Sequence, residues 1–264
     1  MVKRNTNSKN SFKMKKVIIT ILIITQYLGV FAQSNDSLWE QANKFYIEGN
    51  FDQAIEIYQK INKSGYESAE LYYNLGNTYY KFNVYPKAIL YYEKALQLSP
   101  NDKDIQYNLE LTNRYVVDKI EKIPTFFITE WIAGIRNLFS SDKWALISIS
   151  SFVLSLLFIT LYLISRKYNL KKLSFWMTFL FLILFLSAFY FSFKQKQFIL
   201  NDDTAIVMSP SVTIKSSPDI SGTDIFVLHE GTKVWILDQI SDWLEIKLSD
   251  GTKGWLKTSD LEVI

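Results

Sequence analysis

The chain has 264 residues, no cysteine and a single histidine, His229. Without cysteine, disulfides, thiolate metal sites and cysteine nucleophiles are excluded, and we interpret His229 as a surface or loop residue rather than a catalytic one. The formal charge of +3 comes from the N-terminal segment, because six of the 29 Lys and Arg residues and no acidic residue lie in residues 1–32. The remainder is slightly acidic, so we predict no nucleic-acid partner.

The first 32 residues have the composition of a signal peptide. A basic stretch ends at Lys16, and the apolar run Val17–Val30 follows, which is shorter than a membrane span. Val30 and Ala32 are the small residues that a signal peptidase requires, so we predict cleavage after Ala32. The alternative is an uncleaved signal anchor. Both interpretations export the chain from residue 33 onward.

Residues 42–61 and 76–95 match at a spacing of 34 positions. Small residues in this pattern let two antiparallel helices approach closely, and aromatic residues fill the space beside them. The pattern resembles the tetratricopeptide repeat, a helix–turn–helix unit. We therefore predict an all-α repeat domain over residues 33–122. Its last helix, Asp104–Val117, should cap the repeats with a polar outer face. The matching pairs are Ala42 and Gly76, Asn43 and Asn77, Phe45 and Tyr79, Ala54 and Ala88, and Tyr58 and Tyr92.

Three asparagines, Asn43, Asn74 and Asn77, are the candidate peptide-groove residues of this domain. Asn43 and Asn77 match positions at which tetratricopeptide domains of the carboxylate-clamp type hold the C-terminus of a peptide. The cations of such a clamp are missing, because Trp39, Tyr107 and Leu111 stand in their places. A clamp without cations loses its charge-assisted hydrogen bonds, so we expect protein binding through an aromatic groove instead.

Two uncharged segments, residues 144–165 and 173–193, are each long enough to cross a bilayer as a helix. The loop between them, residues 166–172, holds four basic residues. Short basic loops stay in the cytoplasm, so the domains on either side should lie on the opposite, exported side. Neither segment holds an Asp, Glu, Lys, Arg or His residue, which predicts an anchor rather than a transporter.

Two further features flank the first span. Residues 123–143 are aromatic and weakly charged, and we predict a helix lying in the membrane interface; packing on the repeat domain is the alternative. Serines are frequent inside the first span, and we favour hydrogen bonds from their hydroxyls to carbonyls of the same helix over packing against the second helix. These serines are Ser148, Ser150, Ser151 and Ser155.

Residues 200–264 change to short β-prone segments separated by turns, which predicts a small all-β barrel. Asp250-Gly251 is typical of a tight hairpin turn. The predicted strands are Thr204–Met208, Val212–Ser216, Asp224–Leu228, Lys233–Leu237, Trp243–Leu248 and Gly254–Lys257.

The spacing of glycine, tryptophan and aliphatic residues in this segment, above all in Gly254-Trp255-Leu256, resembles the bacterial SH3-like domain. Trp243 shares a strand face with the polar residues Glu245 and Lys247, so we expect it to be exposed as the candidate ligand contact of the barrel. The alternative is that Trp243 packs against the loop before the first strand.

The order of parts resembles the BatE-type proteins of the Bacteroides aerotolerance operon. It is a signal peptide, a pair of repeats with the helix Asn108–Lys122 after it, two spans and a terminal SH3-like domain. The resemblance implies an inner-membrane protein of a Gram-negative bacterium, with both domains in the periplasm. It also implies a role in oxygen tolerance or envelope stress, beside von Willebrand factor A-like membrane proteins and a MoxR-type ATPase.

The function that we expect is that of a non-enzymatic interaction scaffold. The alternative is a cell-wall tether that binds peptidoglycan through the SH3-like domain. No paired carboxylates, nucleophile motif, phosphate-binding loop or metal-ligand cluster is found in the sequence. We therefore predict no catalytic residue, no metal and no cofactor.

Overall fold

The computed structural model describes residues 36–121, 127–200 and 204–264. The predicted signal peptide and its cleavage point after Ala32 lie outside these residues. The chain divides into two compact units, one ending at Tyr66 and the other beginning at Glu67. The first unit contains helix α1 over residues 36–47 and helix α2 over Phe51–Lys63.

The second unit contains six helices and seven strands in its described part. The helices are α3 (Ala69–Lys81), α4 (Tyr85–Leu98), α5 (Lys103–Asn113), α6 (Phe127–Asn137), α7 (Ser141–Ile164) and α8 (Tyr168–Leu200). The strands are β1 (Thr204–Val207), β2 (Ser211–Lys215), β3 (Asp224–His229), β4 (Lys233–Ile240), β5 (Trp243–Lys247), β6 (Lys253–Lys257) and β7 (Leu261–Val263), with a 3₁₀ turn at Thr258–Asp260.

Helices α3 and α4 form the second repeat, a helical hairpin, and the predicted all-α fold of the repeat domain is confirmed. Ser68 caps α3 by accepting a hydrogen bond from the Leu71 N–H, and Pro86 lies in the first turn of α4, where its missing N–H has no cost. A Cβ at Gly76 would lie 2.6 Å from the Tyr92 ring. The small residue of the repeat pattern is therefore required by the close approach of the two helices.

Helix α5 is shorter than either predicted helix, because it ends at Asn113 rather than continuing to Val117 or Lys122. Asp102 caps its first turn, and the buried side chains of Ile105 and Leu109 face α4. After Asn113 the chain turns away, and the Lys119 ammonium donates to the carbonyls of Asn113 and Arg114. The residues that follow pack on the barrel instead of continuing the helix.

Helices α7 and α8 pack side by side as a hairpin, and both are long and apolar enough to cross a membrane. The connection between them is shorter than predicted, because α8 begins at Tyr168 and includes Lys171 and Lys172. The predicted span of residues 173–193 is thus the apolar middle of a longer helix. Most large side chains of the two helices are exposed in the structure, as expected for surfaces that face lipid.

The seam between α7 and α8 corrects the prediction about the serines. Ser148 Oγ lies 3.4 Å from the Phe185 carbonyl oxygen and Ser155 Oγ lies 3.5 Å from that of Thr178, both on the other helix. Ser151 is also buried, whereas Ser150 is exposed. Three of the four serines therefore serve helix packing, because a small side chain lets the backbones approach.

Helix α6 lies in the predicted juxtamembrane segment. Its side chains Phe127 and Trp131 are 70% and 71% exposed. The Trp144 indole N–H of α7 donates to the Arg136 carbonyl at 2.8 Å, which ties the end of α6 to the start of the first span. The exposed aromatic side chains fit the expected contact with a membrane interface.

The C-terminal domain is an antiparallel sheet in the order β3-β2-β6-β5-β4-β1-β7, and the predicted SH3-like class is confirmed. All six predicted strands are present within a few residues, and β7 was not predicted. A Cβ at Gly254 would lie 2.3 Å from Ile214 Cγ2, so the strand crossing there requires glycine. The core is aliphatic and includes Val207, Ile214, Val234, Leu244, Ile246 and Leu256.

Candidate functional site

The asparagine of the first repeat is held by an internal hydrogen bond. Tyr58 lies on α2, is 1% exposed, and its hydroxyl donates to Asn43 Oδ1 at 2.5 Å. Trp39 on α1 meets the Tyr58 ring edge-on, with centroids 5.8 Å apart. The tyrosine thus fixes the oxygen end of the amide, which leaves its N–H₂ group as the donor that a ligand could use.

The same arrangement recurs in the second repeat. The Tyr92 hydroxyl donates to Asn77 Oδ1 at 2.7 Å, and the Asn108 amide donates to the same oxygen at 2.9 Å. Asn108 also donates to the Tyr73 hydroxyl at 3.1 Å, so α3, α4 and α5 share one polar network. Asn74 precedes Asn77 by one turn, is half-buried, and accepts from the Thr78 hydroxyl through its carbonyl.

An aromatic cluster continues the face of α3 and α5 that carries Asn77 and Asn108. Tyr85 and Tyr115 stack with ring centroids 4.1 Å apart, and Tyr80 meets both rings edge-on. A hydrogen bond to Tyr115 raises the pKa of Tyr80. Tyr115 is 52% exposed. We call this face, with its asparagines and tyrosines, the aromatic groove; its surface offers amide donors and ring faces but no clamp cation at positions 107 and 111.

Trp243 is buried in the barrel, at 9% exposure. It is paired with Ile240 and Lys257 in the sheet, and the Lys257 ammonium lies 5.9 Å from its ring centroid. The expectation that Trp243 is an exposed residue is therefore wrong, and the alternative of packing within the domain has the support of its burial. A ligand contact at Trp243 stays a prediction, and such a ligand would have to contact the small exposed part of the ring.

The end of the repeat domain contacts the barrel at Asp118, a residue that the sequence did not single out. Asp118 Oδ2 accepts hydrogen bonds from the His229 backbone N–H and the Thr232 hydroxyl, both at 2.7 Å. The His229 ring donates through Nδ1 to Asp118 Oδ1 at 2.8 Å. Burial of the Asp118 carboxyl raises its pKa, but these hydrogen bonds outweigh burial and hold the pKa below its ordinary value.

Apolar and charged contacts flank Asp118. A Cβ at Gly231, whose φ is +86°, would lie 3.0 Å from Val116 Cγ2 and 3.2 Å from Ile89 Cδ1. Ile120 packs against the core of the barrel. Two ion pairs, Lys233 with Glu93 and Lys87 with Glu262, join α4 to the sheet. We call this contact between the repeat domain and the barrel the junction.

Sequence reasoning missed the junction because its partners are far apart in the chain. His229 is indeed at the surface end of β3, as predicted, but its role is to bind Asp118. The sequence pattern assigns Val116, Val117 and Asp118 to a helix, which gives no indication that they contact the barrel. The barrel residues that contact this segment lie more than a hundred positions later, so the spacing of nearby residues could not identify them.

Comparison with known proteins supports the two domains separately. Residues 69–102 match the tetratricopeptide repeat family, and residues 210–262 match the bacterial SH3 domain family. Both are families of non-catalytic interaction domains. The chain is also similar to a Guillardia theta protein described as "Uncharacterized protein ycf37", with 32% identity over 103 residues. The similarity covers 38% of this chain and 54% of that protein, so the chain spans about half of its length.

Proposed function

We propose that this chain is a membrane-anchored, non-enzymatic interaction scaffold with the repeat domain and the barrel on the same side of the membrane. The observation that carries the proposal is the junction, in which Asp118 binds His229 and Thr232. The two contacting segments lie before and after the pair of candidate spans. Segments in contact must share one side, and two spans return the chain to the side from which it started.

The finer identification is also a proposal. We infer a BatE-type protein of the inner membrane, with an N-terminal signal peptide and both domains in the periplasm, acting in oxygen tolerance or envelope stress. Its partners would be von Willebrand factor A-like membrane proteins and a MoxR-type ATPase. The order of a repeat, two apolar helices and a bacterial SH3 domain supports this identification.

In the proposed scaffold, the aromatic groove binds the partner protein. Tyr92 fixes the Asn77 oxygen, so the amide hydrogens of Asn77 face away from that bond and can donate to a backbone carbonyl of an extended peptide. The exposed ring of Tyr115 adds an apolar contact surface. Tyrosine and asparagine together provide both contact area and hydrogen bonds at little cost in side-chain entropy.

In-cell crosslinking, mild-detergent purification and mass spectrometry test the proposal. Wild-type protein should capture von Willebrand factor A-like proteins and an ATPase. The Asn77→Asp variant keeps an acceptor for Tyr92 but replaces the donor amide with an oxygen, so it should capture several-fold less. The control Asn50→Asp makes the same change at an exposed turn and should capture normally. Wild-type protein that purifies alone would refute the scaffold.

A cell-wall tether is the second candidate, because residues 210–262 match the bacterial SH3 domain family. The tether requires the full-length protein to sediment with purified peptidoglycan. Sedimentation with the wall, together with the absence of protein partners after crosslinking, would favour the tether over the scaffold. Protein that stays in the supernatant at physiological salt would exclude it.

A further inference from the structure

A cleft of about 490 Å³ lies beside the junction. The repeat side contributes Glu93 of α4 and the chain after α5, and the barrel side contributes β4 and the turn after β5. The volume is within the range of about 300–1,000 Å³ that is usual for ligand sites, and such sites favour domain interfaces. The cleft is therefore a candidate binding site apart from the aromatic groove and from Trp243.

Most of the charged groups that line the cleft already have partners. The Lys233 ammonium lies 2.7 Å from Glu93 Oε2. Lys119 donates to the last carbonyls of α5, and Asp118 accepts from the barrel. The pairs formed by Lys233 and Asp118 join the two walls of the cleft, and all of these groups have little capacity left to bind a ligand.

Two of the remaining lining residues, Glu121 and Trp235, have the chemistry to bind a cation. Glu121 is exposed, and among the described residues no ion pair or hydrogen bond to its carboxylate is found. Trp235, on the outer side of β4, is half-buried and lines the same cleft. A carboxylate and an indole ring that line one cleft are suited to a cation, which the carboxylate attracts by charge and the ring face by its quadrupole.

We propose that this cleft binds a lysine or arginine side chain of a basic peptide segment on a partner protein. The carboxylate of Glu121 pairs with the cation, and Trp235 covers its aliphatic stem. The side chain of a basic residue has the length and the amphipathic character that such a cleft requires. The site depends on both domains, since Glu121 belongs to the repeat side and Trp235 to the barrel. It does not depend on the aromatic groove.

Fluorescence anisotropy with full-length protein in a non-ionic detergent tests the proposal. The probe is a labelled octapeptide of alternating lysine and alanine, and the comparison peptide replaces lysine with glutamate. The lysine peptide should bind, and more weakly as salt rises. Glu121→Gln should weaken binding about threefold, and Trp235→Ala about tenfold. Glu230→Gln removes an exposed charge from the adjacent turn, outside the cleft lining, and should leave binding unchanged.

Three outcomes would overturn the proposal: no binding of the lysine peptide, equal binding of the glutamate peptide, or equal weakening by Glu230→Gln. If Trp235→Ala fails to fold, the isosteric Glu121→Gln variant decides the question alone. Asn77→Asp should bind the lysine peptide normally. Partner capture by Asn77→Asp at the wild-type level, with peptide binding retained, would therefore refute the groove and leave the proposal for the cleft intact.

Discussion

The junction and the seam each hold two parts of the molecule together, but by different means. At the junction, one carboxylate receives three hydrogen bonds of 2.7–2.8 Å, and Gly231 fits closely against Val116. At the seam, four serine hydroxyls lie 3.0–3.5 Å from carbonyl oxygens of the facing helix, beside small side chains such as the fully buried Ala188. The junction depends on a few directional contacts, whereas the seam spreads its packing along two long helices.

The difference follows from the solvent that each contact must displace. Water competes for every hydrogen bond at the junction, so a net gain requires good geometry and a charged acceptor, which contributes about 1.5–3 kcal/mol. In a bilayer no water competes, yet separated helices also find partners, so one interhelical hydrogen bond contributes about 0.6 kcal/mol. The loss of a hydrogen bond should therefore destabilise the junction much more than the seam.

The largest expected effect is that of Asp118→Ala. It removes the acceptor of the His229 N–H and of Thr232, at a cost of about 2–3 kcal/mol. Hydrogen exchange of the full-length protein should show faster exchange of the His229 amide by at least tenfold, while β5 and β6 stay protected. Asp242→Ala, an exposed position in the β4–β5 turn, is the control. An unchanged His229 amide would show that Asp118 does not hold the junction.

The pH dependence of the same contact gives an independent check. The pKa of Asp118 is lower in the folded protein than its ordinary value of 3.8, so the carboxylate stabilises the junction above that value. The stabilisation is lost as the pH falls through the lowered pKa. The difference in unfolding free energy between wild type and Asp118→Asn should therefore shrink below pH 3.8. A difference that persists there would mean that the charge is irrelevant.

A smaller effect is expected from Gly231→Ala. The new Cβ would stand 3.0 Å from Val116, and a φ of +86° strains any residue with a side chain by about 1–2 kcal/mol. Gly65→Ala has a φ of +85° with no atom within 4 Å, so it measures the strain alone. Unfolding free energies should show the larger loss at Gly231. Adding Val116→Ala should not restore the part of the loss that is due to φ.

The fold could be predicted where a local pattern repeats. The 34-residue spacing identified the repeat, and alternation such as Leu244-Glu245-Ile246 identified the strands. Helix ends were predicted less accurately: α5 stops at Asn113 because Val116 and Ile120 pack on a barrel that begins more than eighty positions later. Similarly, α8 extends past its apolar part because charged residues at its ends do not interrupt helical hydrogen bonding.

The candidate sites were harder to predict than the fold. Asn77 was identified because it matches a peptide-binding position of the tetratricopeptide repeat. The structure adds that Tyr92 orients its amide. The exposure of Trp243 was predicted wrongly. The alternation of apolar and polar residues shows on which face of the strand a side chain lies, but not which other residues cover that face. Asp118, Glu121 and Trp235 belong to no motif, since their significance arises only when two domains meet.

The smallest effect is expected when one hydrogen bond of the seam is removed. Ser148→Ala removes one long hydroxyl contact to Phe185 but keeps the close packing, so the free energy of unfolding should fall by about 0.5 kcal/mol. Ser148→Leu keeps the helix apolar but forces the backbones apart, and overpacking should cost about 1–3 kcal/mol. Unfolding of the full-length protein in mixed SDS micelles measures both. If alanine were as damaging as leucine, the hydrogen bond rather than the size of the side chain would hold the seam, and the contrast with the junction would disappear.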